Sequence, residues 1–356
     1  MTSAIHVPDS MSAALLHGAS DVRIESMPTP DLQAGMVLLR IRRVGICGSD
    51  LHYHAHGQCG AFVPTGPFVM GHELSAEIAA KGAGVDSLEL GQRVTVNPAR
   101  SCGRCHDCKT GRPNLCRHII MLGSASTTPP TNGAMAEFVA VRADQCHVLP
   151  AEVDDGVAAM LEPFAVALHA VKRAGAVAGK RVLVTGGGTI GLLTAIAARV
   201  YGAPLVVVSD VVESRLEKAR SLGVDATLNP ASASIDSDVS ELAEDGFDLI
   251  LEASGAPQAL RQAFDLIRVG GTIVQIGTLG AEEIPLPANQ VMVKEINFIG
   301  SMRYGDVFDE ALQLVASGRV DLQPFITEVF PFTETAHAMA AAADKSTALK
   351  VQIEFA

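Results

Sequence analysis

The chain contains no tryptophan, three tyrosines and only 4% aromatic residues, so its cores must be built from Val, Leu, Ile, Ala and Met. It also lacks a positive excess. With 39 acidic residues against 27 basic ones the net charge is -12, which argues against a surface for nucleic acid or anionic membrane. No uncharged apolar run reaches the length of a membrane span, so none is expected. The N-terminus has no basic segment followed by an apolar run and cleavage site, so no secretion signal is read and a reduced, cytoplasmic setting is the expectation.

Cysteine, by contrast, is concentrated. Cys102, Cys105, Cys108 and Cys116 are four of the seven in the 356-residue chain, and their spacing suits one tetrahedral metal ion. Four thiolates leave no exchangeable position for water or substrate. That donor set therefore predicts a structural zinc holding a lobe near residues 100–118. Cys59 and Cys146 read as ordinary thiols.

A second set of donors is mixed in type. Cys47, Ser49, His52 and Tyr53 fall in the run from Gly45 to Tyr53, and His72 and Glu73 follow Gly71. Cys47, His72, Glu73 and Glu162 are candidate ligands for a reactive metal. Each taken alone is also an ordinary buried thiol, a satisfied histidine or a paired carboxylate, and spacing by itself does not bring them together.

The length allows about two domains of roughly 150 residues. Up to about residue 148 the chain is punctuated by glycine and carries short apolar runs, which predicts a strand-rich domain. Residues 155–174 turn Ala-rich and helical, interrupted by Pro163. Strands are then predicted at 180–185, 205–209, 247–251 and 271–276, alternating with helices at 192–201, 214–222 and 259–267. That order implies a parallel sheet covered by helices. Further helices are expected at 307–316 and 333–343, and a terminal alternating strand at 349–355 that returns to the first domain.

The glycine run between the first of those strands and its helix carries the strongest ligand signal. Gly186 permits a tight turn, Gly188 lets the backbone approach a pyrophosphate, Thr189 and Ile190 open the helix, and Gly191 lets that helix lie close to the sheet. Asp210 follows the second strand, 19 residues after Gly191. A carboxylate there accepts from both hydroxyls of an adenosine ribose and repels a 2'-phosphate, which predicts NAD over NADP. Arg215 is read as a solvated helix residue, with contact to the adenine region or a phosphate as the alternative.

These pieces together resemble the zinc-containing medium-chain alcohol and polyol dehydrogenases over essentially the whole chain. The resemblance rests on GICGSDLHYH from Gly45, GHE from Gly71, CGRCHDCKTGRPNLC from Cys102 to Cys116, and MLEPFAVALHA from Met160. It implies an α/β protein with a GroES-like β-rich catalytic domain from 1–164 and 300–356 and a Rossmann-type, doubly wound NAD-binding domain at 165–299. It further implies one catalytic and one structural Zn2+ per chain and a homodimer or homotetramer. Cys47 and His72 match the catalytic ligands, with Glu162 or Glu73 as the third. Ser49 and His52 match a proton relay, and Tyr53, Arg303 and Tyr304 match regions lining the substrate cleft. The implied substrate is a small polyol or sugar acid. The segments VTVNPARSCGRCHDC and MLGSA carry the expectation of L-idonate, oxidised at C5 to 5-keto-D-gluconate, with a neutral polyol of sorbitol or xylitol type as the alternative.

Overall fold

A computed structural model describes residues 6–233, 235–280 and 283–356; the first five residues of the N-terminus read above for a leader lie outside them. The chain divides into two compact units, Met1–Glu162 with Phe308–Ala356, and Pro163–Val307.

The first unit is built on a mixed sheet with strand Met36–Gly45 at its centre. That strand alternates Val37, Leu39 and Ile41, all buried, with half-buried arginines at 40 and 42, the period-two pattern of a sheet packed on a core. It pairs antiparallel with Glu73–Lys81, Gly45 opposite Glu73. On its other side it pairs with Lys350–Glu354, Gln352 opposite Gly45. The terminal strand therefore does return to the first domain, and the three neighbours deliver Glu73, Gly45 and Lys350 to one end of the sheet. Helix Gly48–His56 starts immediately beyond that end. A small lobe follows, made of the hairpin Ala99–Arg100 with Ile120–Met121 and the one-turn helix His106–Lys109.

The second unit contains a six-stranded sheet with every pair parallel. In sequence order the strands are Arg181–Thr185, Leu205–Ser209, Ala226–Leu228, Phe247–Glu252, Ile267–Gln275 and Asn297–Gly300. Their spatial order is 3-2-1-4-5-6, so the direction of winding reverses between the first and the fourth. The central strands are near-continuous runs of Val, Leu and Ile because helices cover both faces. With few aromatics to draw on, one core cluster here centres on Phe247 and Phe264, each worth about 1.5–3 kcal/mol of burial.

Several boundaries differ from the expected ones. The Ala-rich segment is two helices, Asp155–Ala159 and Leu161–Arg173, separated at Met160. Pro163 falls in the first turn of the second, where its missing N–H has no partner to lose. Short strands at Ala226–Leu228 and Asn297–Gly300 and helix Ile235–Leu242 join the predicted set. No helix among the described residues is long and apolar enough to cross a membrane.

Candidate active site

Cys47 is the N-cap of helix Gly48–His56, so its sulfur sits at the positive end of that helix, where a thiolate is favoured. Ligand atoms of Cys47, His72 and Glu73 all lie within 4.8 Å of one another. Gly45 makes room for the carboxylate: a Cβ there would stand 2.2 Å from Glu73 Oε2. Asp50, on the third residue of the helix, ties the two ligand loops together. Its Oδ2 accepts from Cys47 N–H at 2.9 Å and its Oδ1 from Gly71 N–H at 3.1 Å.

His72 is buried, and its Nδ1 has no hydrogen-bond partner; the nearest carboxylate oxygen, Asp50 Oδ1, is 3.9 Å away. Burial opposes the charged imidazole, but the Cys47 sulfur, Asp50 and Glu162 outweigh it and raise His72 well above its ordinary 6.5. An orphaned ring nitrogen beside a cysteine and a carboxylate is a donor set that fits zinc. Glu162 is buried at the start of helix Leu161–Arg173 and acts on His72 by its charge, while the three clustered ligand atoms are those of Cys47, His72 and Glu73.

Glu73 already has a cation. Lys350, 4% exposed, donates to Glu73 Oε1 at 2.7 Å and Oε2 at 2.6 Å and to the Ile46 carbonyl at 3.0 Å, so its three N–H groups have three acceptors. Burial lowers the Lys350 ammonium, and the charge of Glu73, then of Cys47, overrides it and lifts the group above 10.5. A metal at Cys47 and His72 would thus share Glu73 with an ammonium.

Ser49 is half-buried in the first turn of the helix, and His52 is exposed three residues on, along the same face. Tyr53 is 2% exposed, packs edge-on against Phe68, and its hydroxyl accepts from Ala125 N–H at 3.0 Å. The helix turns this position inward, away from the face that carries His52. Arg303 is half-buried with φ of 53°, and Tyr304 is buried; both belong to the second unit.

The four lobe cysteines are unbridged and cluster within 4.8 Å. Sulfur separations of 3.5 Å for Cys105–Cys108 and 4.0 Å for Cys102–Cys108 bracket the about 3.8 Å edge of a tetrahedron with zinc–sulfur bonds of about 2.3 Å. Backbone N–H groups of Cys102 and His118 also donate to Cys116 Sγ, each at 3.3 Å. Those of Arg104 and Cys105 hold Cys102 down to about 6. The lobe fits a four-thiolate zinc.

In the second unit a cleft of about 720 Å3 runs along the C-terminal ends of the strands, lined by Gly186, Gly188, Asp210, Arg215 and Ser254 among others. Gly186 turns with φ of 95°, and a Cβ on Gly191 would fall 1.8 Å from the Gly186 carbonyl oxygen, which only glycine avoids. Thr189 and Ile190 begin the helix Thr189–Val200. Asp210 Oδ2 accepts from Gly187 N–H at 2.7 Å and lies 3.4 Å from Arg215 Nη1, so the arginine leans on the carboxylate instead of standing free in solvent. The glycine-lined end of the cleft fits a dinucleotide.

Reasoning from sequence passed over Asp50 and Lys350. Asp50 lies inside the quoted motif, and a carboxylate at the third helical position is a capping signal. Lys350 interrupts an alternating strand at an inward position.

Residues 189–317 match the family model described as Zinc-binding dehydrogenase, and residues 33–151 match Alcohol dehydrogenase GroES-like domain. The chain is 36% identical to the sorbitol dehydrogenase of Bacillus subtilis over 349 residues, 98% of each protein. It is 37% identical to D-xylulose reductase A of Aspergillus oryzae over 331 residues, 91% of each. The crystal structure of L-idonate 5-dehydrogenase from Escherichia coli superimposes with a TM-score of 0.91 at 34% identity, covering 97% of this chain and 98% of that one. A β-rich unit with two zinc-type donor sets, a parallel sheet with a dinucleotide cleft, and relatives matched over nearly their full length place the chain in the family of zinc-binding, NAD-dependent medium-chain dehydrogenases that act on sugars and polyols.

Proposed function

We propose that the enzyme is a polyol dehydrogenase of the sorbitol or xylitol type, oxidising one secondary hydroxyl of a neutral polyol to a ketone, reversibly. The observation that carries this reading is the Cys47–His72–Glu73 set, one sulfur ligand with a histidine and a carboxylate, in a chain similar to a sorbitol dehydrogenase and a D-xylulose reductase over nearly its whole length. When bound, zinc supplies a Lewis acid for the substrate hydroxyl and NAD the acceptor of hydride. Cys47 and His72 would hold the metal, and Glu73 or Glu162 would complete the set. One thiolate and one carboxylate balance the ion's charge. Ser49 would accept the hydroxyl proton while giving its own to His52, on the same helix face, which would release a proton to water. Asp210 receives the adenosine ribose, which favours NAD over NADP, with Arg215 steadying that carboxylate. We assign the protein to the cytoplasm, where seven unpaired thiols are at home.

The second reading is L-idonate oxidised at C5 to 5-keto-D-gluconate. It is supported by the match to the Escherichia coli enzyme and by Arg303, whose left-handed backbone is the kind of strain that collects at functional positions. Arg303 would pair with the sugar-acid carboxylate, and Tyr304 would help shape the cleft. Turnover of sorbitol, xylitol, L-idonate, L-threonine and gluconate compared at equal concentration tests both. Highest kcat/KM on sorbitol or xylitol is expected; a strong preference for L-idonate replaces the first reading with the second.

We propose a homodimer or homotetramer. Strand Asn297–Gly300 is the outer edge of its sheet, and Phe298 on it, Met292 and Val293 just before it and Val269 on the neighbouring strand are exposed. A monomer mass by light scattering would reject the assembly.

A further inference from the structure

Glu252 ends the fourth strand of the parallel sheet and is 0% exposed. Its carboxylate collects donors from the ends of three strands. Oε1 accepts from Ser254 N–H at 2.8 Å, Gly255 N–H at 3.0 Å, Thr185 Oγ1 at 3.4 Å and the Ser254 hydroxyl; Oε2 accepts from Gln275 Nε2. Gly277 presses its backbone on the same group, since a Cβ there would sit 2.9 Å from Oε2. Among the described residues no lysine or arginine forms an ion pair with it. Each of these partners is a hydrogen-bond donor to it.

An uncompensated buried anion is costly, and a neutral side chain could hold the same strand ends. The position of the charge is what a neutral group would lack. Thr185 and Ser254, two of its partners, line the cleft. The winding reverses between the strands that carry Thr185 and Glu252, and a dinucleotide lies across that point, one mononucleotide over each half of the sheet. If Asp210 on the second strand takes the adenosine ribose, the nicotinamide falls to the half formed by the fourth, fifth and sixth strands. Glu252 and Gln275 are the last residues of the fourth and fifth.

We infer that Glu252 is a positioning residue whose negative charge, buried at the end of the fourth strand on the nicotinamide half of the sheet, favours the cationic oxidised ring over the neutral reduced one. This rests on the assignment of Asp210 to the adenosine end. A field from a fixed buried charge acts on the difference in charge between NAD+ and NADH, whereas a clamp on the strand ends acts on both alike.

The test is the ratio of two dissociation constants, measured on zinc-loaded protein without substrate. NADH is followed by its own fluorescence, which no tryptophan in the chain complicates, and NAD+ by displacement of NADH. Glu252→Gln should weaken NAD+ about threefold to tenfold more than NADH. Gln275→Lys reaches the same end by another route, setting an ammonium against the retained carboxylate, and should move the ratio the same way. It also serves if Glu252→Gln is recovered unfolded. Equal weakening of both nucleotides, or an unchanged ratio in a folded variant, overturns the inference and leaves Glu252 as a clamp on the strand ends. Failure of the Asp210 assignment would be separate: Asp210→Ala would then leave both nucleotides bound at wild-type strength.

Discussion

Lys350 and Glu73, 277 residues apart in sequence, meet through both carboxylate oxygens at 2.6 and 2.7 Å inside the first unit, 4% and 1% exposed. Removing one partner of such a pair strands a buried charge, at a cost of about 3–5 kcal/mol. Lys350→Met should therefore lower stability strongly in the metal-free protein. It should do so less after zinc is added, because the metal offers Glu73 another cation. The double variant with Glu73→Gln should recover much of the loss. Chemical denaturation of the four species with and without zinc measures the coupling; additive losses would show that the two residues are not coupled, and losses unchanged by zinc that the pair is not linked to the metal.

The same pair predicts an alkaline limit. Lys350 is raised above its ordinary 10.5, so its contribution to stability is fully present below that value and is lost as pH rises through the raised one. Wild-type melting temperature should fall steeply in that window, and Lys350→Met should flatten the fall.

Zinc uptake at the reactive site should release protons. In the metal-free chain His72 is held protonated well above 6.5 by the charges around it, and zinc must displace that proton. Affinity should weaken by about tenfold for each displaced proton per unit of falling pH. Calorimetry in buffers of different ionisation enthalpy counts the protons; a count of zero at neutral pH would contradict the site as described.

The two cysteine sets should separate by phenotype. Cys47→Ser is expected to abolish turnover, drop zinc from two to one per chain and leave the melting temperature nearly unchanged. Cys105→Ser should lower it by roughly 5 °C or more, since the metal joins four thiolates from separate parts of the lobe. Elemental analysis with calorimetry on both variants decides, and a single zinc in the fully active wild type would defeat the two-site reading.

Cofactor preference should follow Asp210. Loss of a charge-assisted contact to the ribose hydroxyls is worth about 1.5–3 kcal/mol, so Asp210→Ala should reduce kcat/KM with NAD by roughly one to two powers of ten. NADP should suffer far less. Equal use of both cofactors by the wild type would break the assignment.

What could be read from sequence was local or periodic. The cysteine quartet lies in one short segment, the glycine turn is flanked by a strand and a helix, and the four long buried strands announce themselves as runs of Val, Leu and Ile. The short strands Ala226–Leu228 and Asn297–Gly300 escaped because three or four residues hold too little pattern. The packing of Tyr53 was not legible, because it depends on Phe68 and Ala125, which sequence does not set beside it. The meeting of Lys350 with Glu73 depends on strand pairing across most of the chain. Nothing local in LKVQIEF says which end of which strand it will face.

That pairing also has a temporal side. The ribosome makes Met36–Gly45 and Glu73–Lys81 early, and the whole of the second unit before Lys350–Glu354 appears. Until that strand docks, Met36–Gly45 lacks one neighbour and Glu73, on the strand at its other side, is without its ammonium. A newly made chain can thus close its dinucleotide-binding unit while the reactive site still lacks Lys350, which arrives only with strand Lys350–Glu354.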